Sequence, residues 1–246
     1  MPGHTEPFIK GFEIIWDRIG ENSYIRGIGA IASTEELAFP RPVTIFMGEN
    51  GTGKSTLLEA LAVACGFNPE GGTVNYNFST YDSHSELHDA IRLHRGTRRA
   101  KGGYFLRAES FYNVATAEES YGEQTRRGSE YYHRRSHGES FLALAQNSFR
   151  PDGLYFLDEP EAALSPQRQL TLMIEIDRCV KGGAQFIMAT HSPILAGMPG
   201  ARILCFDTDG ISPCEYEDTE SYRVTKLFLD RREQLLEQMF GDNGEQ

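Results

Sequence analysis

Gly48-Glu49-Asn50-Gly51-Thr52-Gly53-Lys54-Ser55 follows the apolar run Val43-Thr44-Ile45-Phe46-Met47 and leads into Thr56-Leu57-Leu58-Glu59-Ala60-Leu61-Ala62-Val63-Ala64-Cys65. The octapeptide fits G-x-x-x-x-G-K-[S/T] in full, and it sits where that pattern must sit, after a strand and before a helix. Glycines let backbone N–H groups converge on phosphate oxygens, the helix N-terminus adds partial positive charge, and a lysine supplies a point charge at the β and γ phosphates. Gly48, Asn50, Gly51, Thr52, Gly53, Lys54, Ser55 and Thr56 are therefore the candidate nucleotide-phosphate contacts, with the Ser55 hydroxyl placed to hold Mg²⁺. Gly66 is read as the stop of the helix.

A second strand ends in two carboxylates, Leu154-Tyr155-Phe156-Leu157-Asp158-Glu159-Pro160, and is expected to lie beside the strand that feeds the phosphate loop. Asp158 would hold Mg²⁺ through water. Glu159 would face the γ-phosphate as the base or orienter of an attacking water, because hydrolysis of a phosphoanhydride needs mainly positioning and charge compensation. A third strand, Gln185–Ala189, runs into Thr190-His191-Ser192-Pro193, and Pro166–Val180 reads as a helix with Ser165 as its N-cap. Strands alternating with helices predict an α/β protein with a mainly parallel sheet.

The other segments fill in around that core. Phe8–Trp16 and Tyr24-Ile25 look like edge strands of an N-terminal β region, and residues 68 to 83 like a loop or small hairpin. Ser85–His94 as a short helix, Tyr104–Arg107 as a strand and Glu139–Asn147 as a helix make an inserted helical lobe. Arg202–Phe206 and Ile211–Glu215 are short strands around the turn Asp207-Thr208-Asp209-Gly210, and a charged amphipathic helix is expected over Thr219–Phe240.

With 246 residues, 39% apolar and 24% charged, the chain is long enough to bury a large core. It has no apolar run of the roughly 18 to 20 residues that a membrane span needs, and its start lacks a signal-peptide pattern, so a soluble, cytoplasmic protein without membrane insertion is expected. Cys65, Cys179, Cys205 and Cys214 form no C-x-x-C pair and are read as reduced, small apolar residues. A net charge of −11 argues against a surface that coats nucleic acid throughout. Between Ile91 and Arg135, however, ten Lys and Arg stand against five Asp and Glu. That stretch is either a solvated face whose arginines answer acidic neighbours, or a docking surface for nucleic acid or an acidic partner.

Ser136-His137-Gly138-Glu139-Ser140 precedes Asp158 by 22 residues, and His191 follows it by 33. In this order the sequence resembles the ABC-type ATPases. The resemblance implies a single ABC-type ATPase domain over 1–246, with residues 1–81 and 148–218 as nucleotide-binding core, 82–147 as the signature lobe and 219–246 as a C-terminal helix. It implies ATP and Mg²⁺ as ligands, and a head-to-tail homodimer formed on Mg-ATP. In such a dimer Ser136, Gly138 and Glu139, standing where the signature L-S-G-G-Q has its serine, a glycine and its glutamine, would reach the γ-phosphate of the other copy, and His191 would sense it. Lys54, Glu159 and His191 become the catalytic candidates.

The wording of G-E-N-G-T-G-K-S-T-L-L-E-A, D-E-P-E-A-A-L-S-P and T-H-S-P is similar to the soluble RecF, SMC and OLD-like branch and to compact bacterial ATPases, from about Tyr24 to Pro193. Two departures stand out. In Tyr104-Phe105-Leu106-Arg107-Ala108-Glu109-Ser110 the glutamine of transporter domains is absent, so Glu109 or Arg107 takes its place, with Glu109 chosen as a ligand to the metal's water shell. Ser165 replaces the aspartate of the inter-subunit loop. Tyr24 or Arg26 would contact the adenine. The output implied is a conformational switch in DNA maintenance or anti-phage defence, with an effector or nuclease partner. The alternatives are the ATP subunit of a transporter and an ATP-sensing module.

Overall fold

The computed structural model describes residues 6–73, 85–107 and 137–241. Among these, the main sheet has the order β5 (Gly102–Arg107), β6 (Gly153–Asp158), β7 (Gln185–Ala189), β3 (Val43–Gly48), β8 (Arg202–Phe206), β9 (Ile211–Cys214). β5 to β8 run parallel through it, and β9 returns antiparallel beside β8. A separate antiparallel sheet pairs β1 (Ile9–Ile14) with β2 (Glu36–Ala38) on one side and β4 (Ile91–Arg95) on the other.

Alternation along the strands builds two cores. Phe46, Phe105, Phe156, Ile187 and Leu204 point to one face, where α2 (Lys54–Ala64) and the antiparallel sheet cover them. Ile45, Tyr104, Tyr155, Phe186 and Ile203 point to the other, under α4 (His137–Ser148), α5 (Pro166–Lys181) and the short α6 (Pro193–Ala196). Leu57, Leu58 and Leu61 of α2 are fully buried, each contributing about 2 kcal/mol of apolar burial. The helix ends as expected: Gly66 adopts φ +95°, and Phe67 N–H donates to the Ala62 carbonyl.

A buried side chain ties the two sheets together. Gln185, at the start of β7, accepts from Ile9 N–H at 2.9 Å and donates to the Ile9 carbonyl at 2.8 Å, all buried. Gln185→Leu strands both backbone groups, and urea unfolding is expected to show a loss of about 3 kcal/mol. A loss under 1 kcal/mol would remove Gln185 as the tie.

Several expectations need correction. β7 lies between β3 and β6, so the acidic strand is not the neighbour of the phosphate-loop strand. Ser85–His94 is not one helix: α3 (Leu87–Ala90) is a single turn and β4 follows at once, with Ile91 and Leu93 alternating against Arg92 and His94. Tyr24-Ile25 lies in a 3-10 turn, Tyr24–Gly27, capped by the Ser23 hydroxyl, rather than in a strand; α1 (Gly29–Ala32) continues it. The C-terminal helix is two, α7 (Glu220–Asp230) and α8 (Arg232–Phe240), separated by Arg231 at φ −131° and ψ 32°, and neither buries a residue. Cys205 and Cys214 form a disulfide with a Cα–Cα separation of 6.1 Å. The turn sets Cys205 opposite Ser212 and Ile203 opposite Cys214, which makes the two cysteines diagonal neighbours on one face. Cys65 and Cys179 are free thiols.

Candidate functional site

The phosphate loop takes its shape from Gly48, Gly51 and Gly53, all at positive φ, two of which are also pressed against neighbours. Gly53 has φ +95°, and a Cβ there would stand 2.6 Å from Ile28 Cγ2; Gly48 has φ +144°, and a Cβ would meet the Phe206 carbonyl at 2.4 Å. The loop is thus pressed between α1 with its preceding turn and the end of β8. Thr52 Oγ1 donates to the Glu49 carbonyl at 2.9 Å and closes the turn.

Lys54 is buried at 4% exposure, and its Nζ donates to the Gly48 carbonyl at 2.8 Å and the Glu49 carbonyl at 2.6 Å. Burial pushes its ammonium below the ordinary lysine value, while the carboxylates of Glu159, Asp158, Glu161 and Glu49 pull it back up. Next along α2, the Ser55 hydroxyl donates to Asp158 Oδ1 at 2.8 Å. The phosphate loop and the acidic strand end therefore meet across the sheet although β7 separates their strands. A hydroxyl and a carboxylate are hard oxygen donors of the kind Mg²⁺ takes. Among the described residues no three or more His, Cys, Asp or Glu side chains form a metal cage, so a divalent ion here would draw on Ser55, Asp158 and ligand oxygens.

Glu159 breaks out of the strand. Its N–H still donates to the Ala189 carbonyl at 2.9 Å, but its backbone is left-handed, φ 47° and ψ 49°. A non-glycine residue held there costs on the order of 1 kcal/mol or more. The result is that Asp158 stays turned inward at 6% exposure while the Glu159 carboxylate, 42% exposed, faces His191, with 3.6 Å between Oε1 and Nε2. His191 Nε2 is shut away from solvent and makes no hydrogen bond, an orphaned polar atom that a phosphate oxygen would satisfy.

Sequence reasoning missed Glu161. Its carboxylate accepts from Thr190 Oγ1 at 2.7 Å and from His191 N–H at 2.6 Å, which fixes the loop after β7. The signal was the second glutamate of D-E-P-E. Ser192 then caps α6 by accepting from Ile194 and Leu195 N–H. A cavity of about 840 Å³ opens beside the phosphate loop, between Gly48, Asn50, Thr52, His191, Asp207 and Ser221.

The remaining candidates are placed less evenly. Tyr24 is 62% exposed, with its ring open to a planar ligand. Arg26 is occupied: it donates to the carbonyls of Gly20, Trp16 and Ile19 and lies 5.2 Å from the Trp16 ring. Gly138 lies in the first turn of α4, and Glu139 receives Arg168 Nη2 at 2.9 Å, tying that turn to α5. Ser136 and Glu109 lie outside the described residues, as does the basic stretch from 108 to 135. In the described part, Arg92 pairs with Glu13, and Arg98 and Lys101 pair with Asp152, while Arg95 and Arg99 are exposed.

Residues 24–144 match a family model described as "AAA domain", and residues 139–197 match a second, described as "AAA domain, putative AbiEii toxin, Type IV TA system". Between them the two AAA-domain models match residues 24–197, and the described residues carry the mostly parallel α/β sheet of a P-loop fold. No curated protein matches. Among solved structures it is similar to "an inward-facing conformation of a putative metal-chelate type ABC transporter" (16% identity, 80% of this chain and 81% of that one, TM-score 0.46). It is also similar to the ADP conformation of MJ1267, an ATP-binding cassette of an ABC transporter (13%, 81% and 89%, TM-score 0.41). A third is the SMC head domain from Thermotoga maritima (16%, 73% and 93%, TM-score 0.42). Among the described residues no helix is long and apolar enough to cross a membrane.

Proposed function

We propose that the chain is a Mg-ATP-dependent ATPase that acts as a conformational switch. The observation that carries this reading is the Ser55–Asp158 hydrogen bond, which draws the phosphate loop and the acidic strand end into one site, with Glu159 turned toward His191. Lys54 and the loop backbone bind the β and γ phosphates, and the two carbonyls that Lys54 now holds are its resting partners. Ser55 and Asp158 hold Mg²⁺, which when bound neutralises phosphate charge. Glu159 takes the proton of the attacking water, and His191 donates from Nε2 to the γ-phosphate. Tyr24 is the adenine contact of this reading.

The same reading makes the active form a head-to-tail homodimer, with Ser136, Gly138 and Glu139 of one copy closing the nucleotide site of the other. The cavity beside Gly48, Asn50 and Thr52 leaves room for that approach. ATP would then bias a two-state assembly that hydrolysis releases. The favoured output is DNA maintenance or anti-phage defence with an effector partner. Phosphate release should need Mg²⁺ and rise per subunit with protein concentration. Turnover independent of concentration would remove the dimer, and none at any concentration would remove the enzyme.

Glu161 gives a separate check. Glu161→Ala frees Thr190 and the His191 backbone, so turnover is expected to fall at least tenfold while Mg-ATP affinity, by calorimetry, stays within threefold. Equal loss in both would make Glu161 a binding residue.

A further inference from the structure

The edge strand β5 delivers one more charge to the metal side of the site. Arg107 is its last residue and stands in register with Asp158. It shares with Phe105 the strand face that α2 covers, and there it meets Glu59, one helical turn beyond Ser55. Arg107 Nη1 donates to Glu59 Oε2 at 2.6 Å, and its Nε lies 3.5 Å from Asp158 Oδ2. The three side chains are 24%, 18% and 8% exposed, so their charges act on one another with little water between.

The charge around the phosphate loop explains why this matters. Glu49, Asp158, Glu159 and Glu161 all act on Lys54, and Glu59 adds a fifth carboxylate. A polyphosphate entering such a site without a divalent ion meets strong repulsion, and Lys54 alone does not balance it. We propose that Arg107 is a second fixed cation of the nucleotide site: it offsets Asp158 so that the site takes ATP before a divalent ion is present, and Glu59 restrains it. The inference rests on the ATP-site reading above.

The sign of each effect separates this role from a merely structural ion pair. Calorimetry on the full chain, with ATP in excess EDTA and again with Mg²⁺, reads both forms of the ligand. Arg107→Met should weaken metal-free ATP about tenfold and leave Mg-ATP within threefold. Glu59→Gln removes the opposing charge and should strengthen metal-free ATP severalfold; the double variant, whose buried pair is neutral, should fall between the two. A pair that only ties β5 to α2 would weaken binding in both single variants alike, following their melting temperatures, and that result overturns the proposal. If Arg107→Met does not fold, Arg107→Lys replaces it: metal-free affinity near the parent's is expected, and a tenfold loss overturns the proposal. A parent protein that bound ATP in neither condition would instead overturn the site assignment itself.

Discussion

Glu159→Gln is expected to reduce steady-state phosphate release at least a hundredfold, with Mg-ATP affinity unchanged or improved. Loss of a positioned general base costs 10² to 10⁴ in rate. The geometry supports that end of the range: the left-handed backbone at Glu159 lifts the carboxylate out of the strand, leaves it 42% exposed to an incoming water and sets it 3.6 Å from His191. Glutamine keeps the shape and removes the base. One negative charge fewer near the phosphates also favours the bound state, so light scattering with Mg-ATP should show a dimer that persists in the variant and decays in the parent. A variant turning over at the parental rate would move the base elsewhere.

What was legible in the sequence was local. The runs Val43–Met47, Leu154–Leu157 and Gln185–Ala189 are mostly apolar because parallel strands are buried on both faces, and each became a strand within a residue or so of its expected bounds. Strand order was not legible, since it is set by which crossover passes where; β7 slips between β3 and β6, and no residue of β7 announces it. At 91–95 the period of two in Ile-Arg-Leu-His-Arg was present, but a helical reading of the preceding residues ran over it. The break at Arg231 has neither glycine nor proline to mark it.

The candidate site divides the same way. Lys54, Ser55, Asp158, Glu159 and His191 lie at strand and helix ends, where spacing fixes direction, and the structure brings them together. Arg26 looked like a ligand contact because a guanidinium is planar; only the folded turn shows it spent on three carbonyls and the Trp16 ring. Arg107 was read as an alternative to Glu109 for one position, but its meaning comes from a register with Asp158 and a contact with Glu59 on another element. The Cys205–Cys214 bond likewise needs the hairpin register, not the spacing of the cysteines.

Lys54→Ala is expected to weaken Mg-ATP binding at least a hundredfold by calorimetry, with a melting temperature within a few degrees of the parent's. Two losses add. A charge-assisted contact to phosphate contributes roughly 1.5 to 3 kcal/mol, and the surrounding carboxylates lose a cation that partly offsets them. The fold should tolerate the change, because the partners left behind are the Gly48 and Glu49 carbonyls at a loop that water reaches, not groups inside either core. Burial already disfavours the ammonium here, so removing it also relieves a desolvation cost, which limits the stability loss while doing nothing for affinity. Lys54→Arg separates charge from shape: the guanidinium keeps the charge but does not fit between the two carbonyls, so binding should recover by less than tenfold. Full recovery would show that the loop needs only a positive charge and would demote the geometry that Gly48 and Gly53 impose.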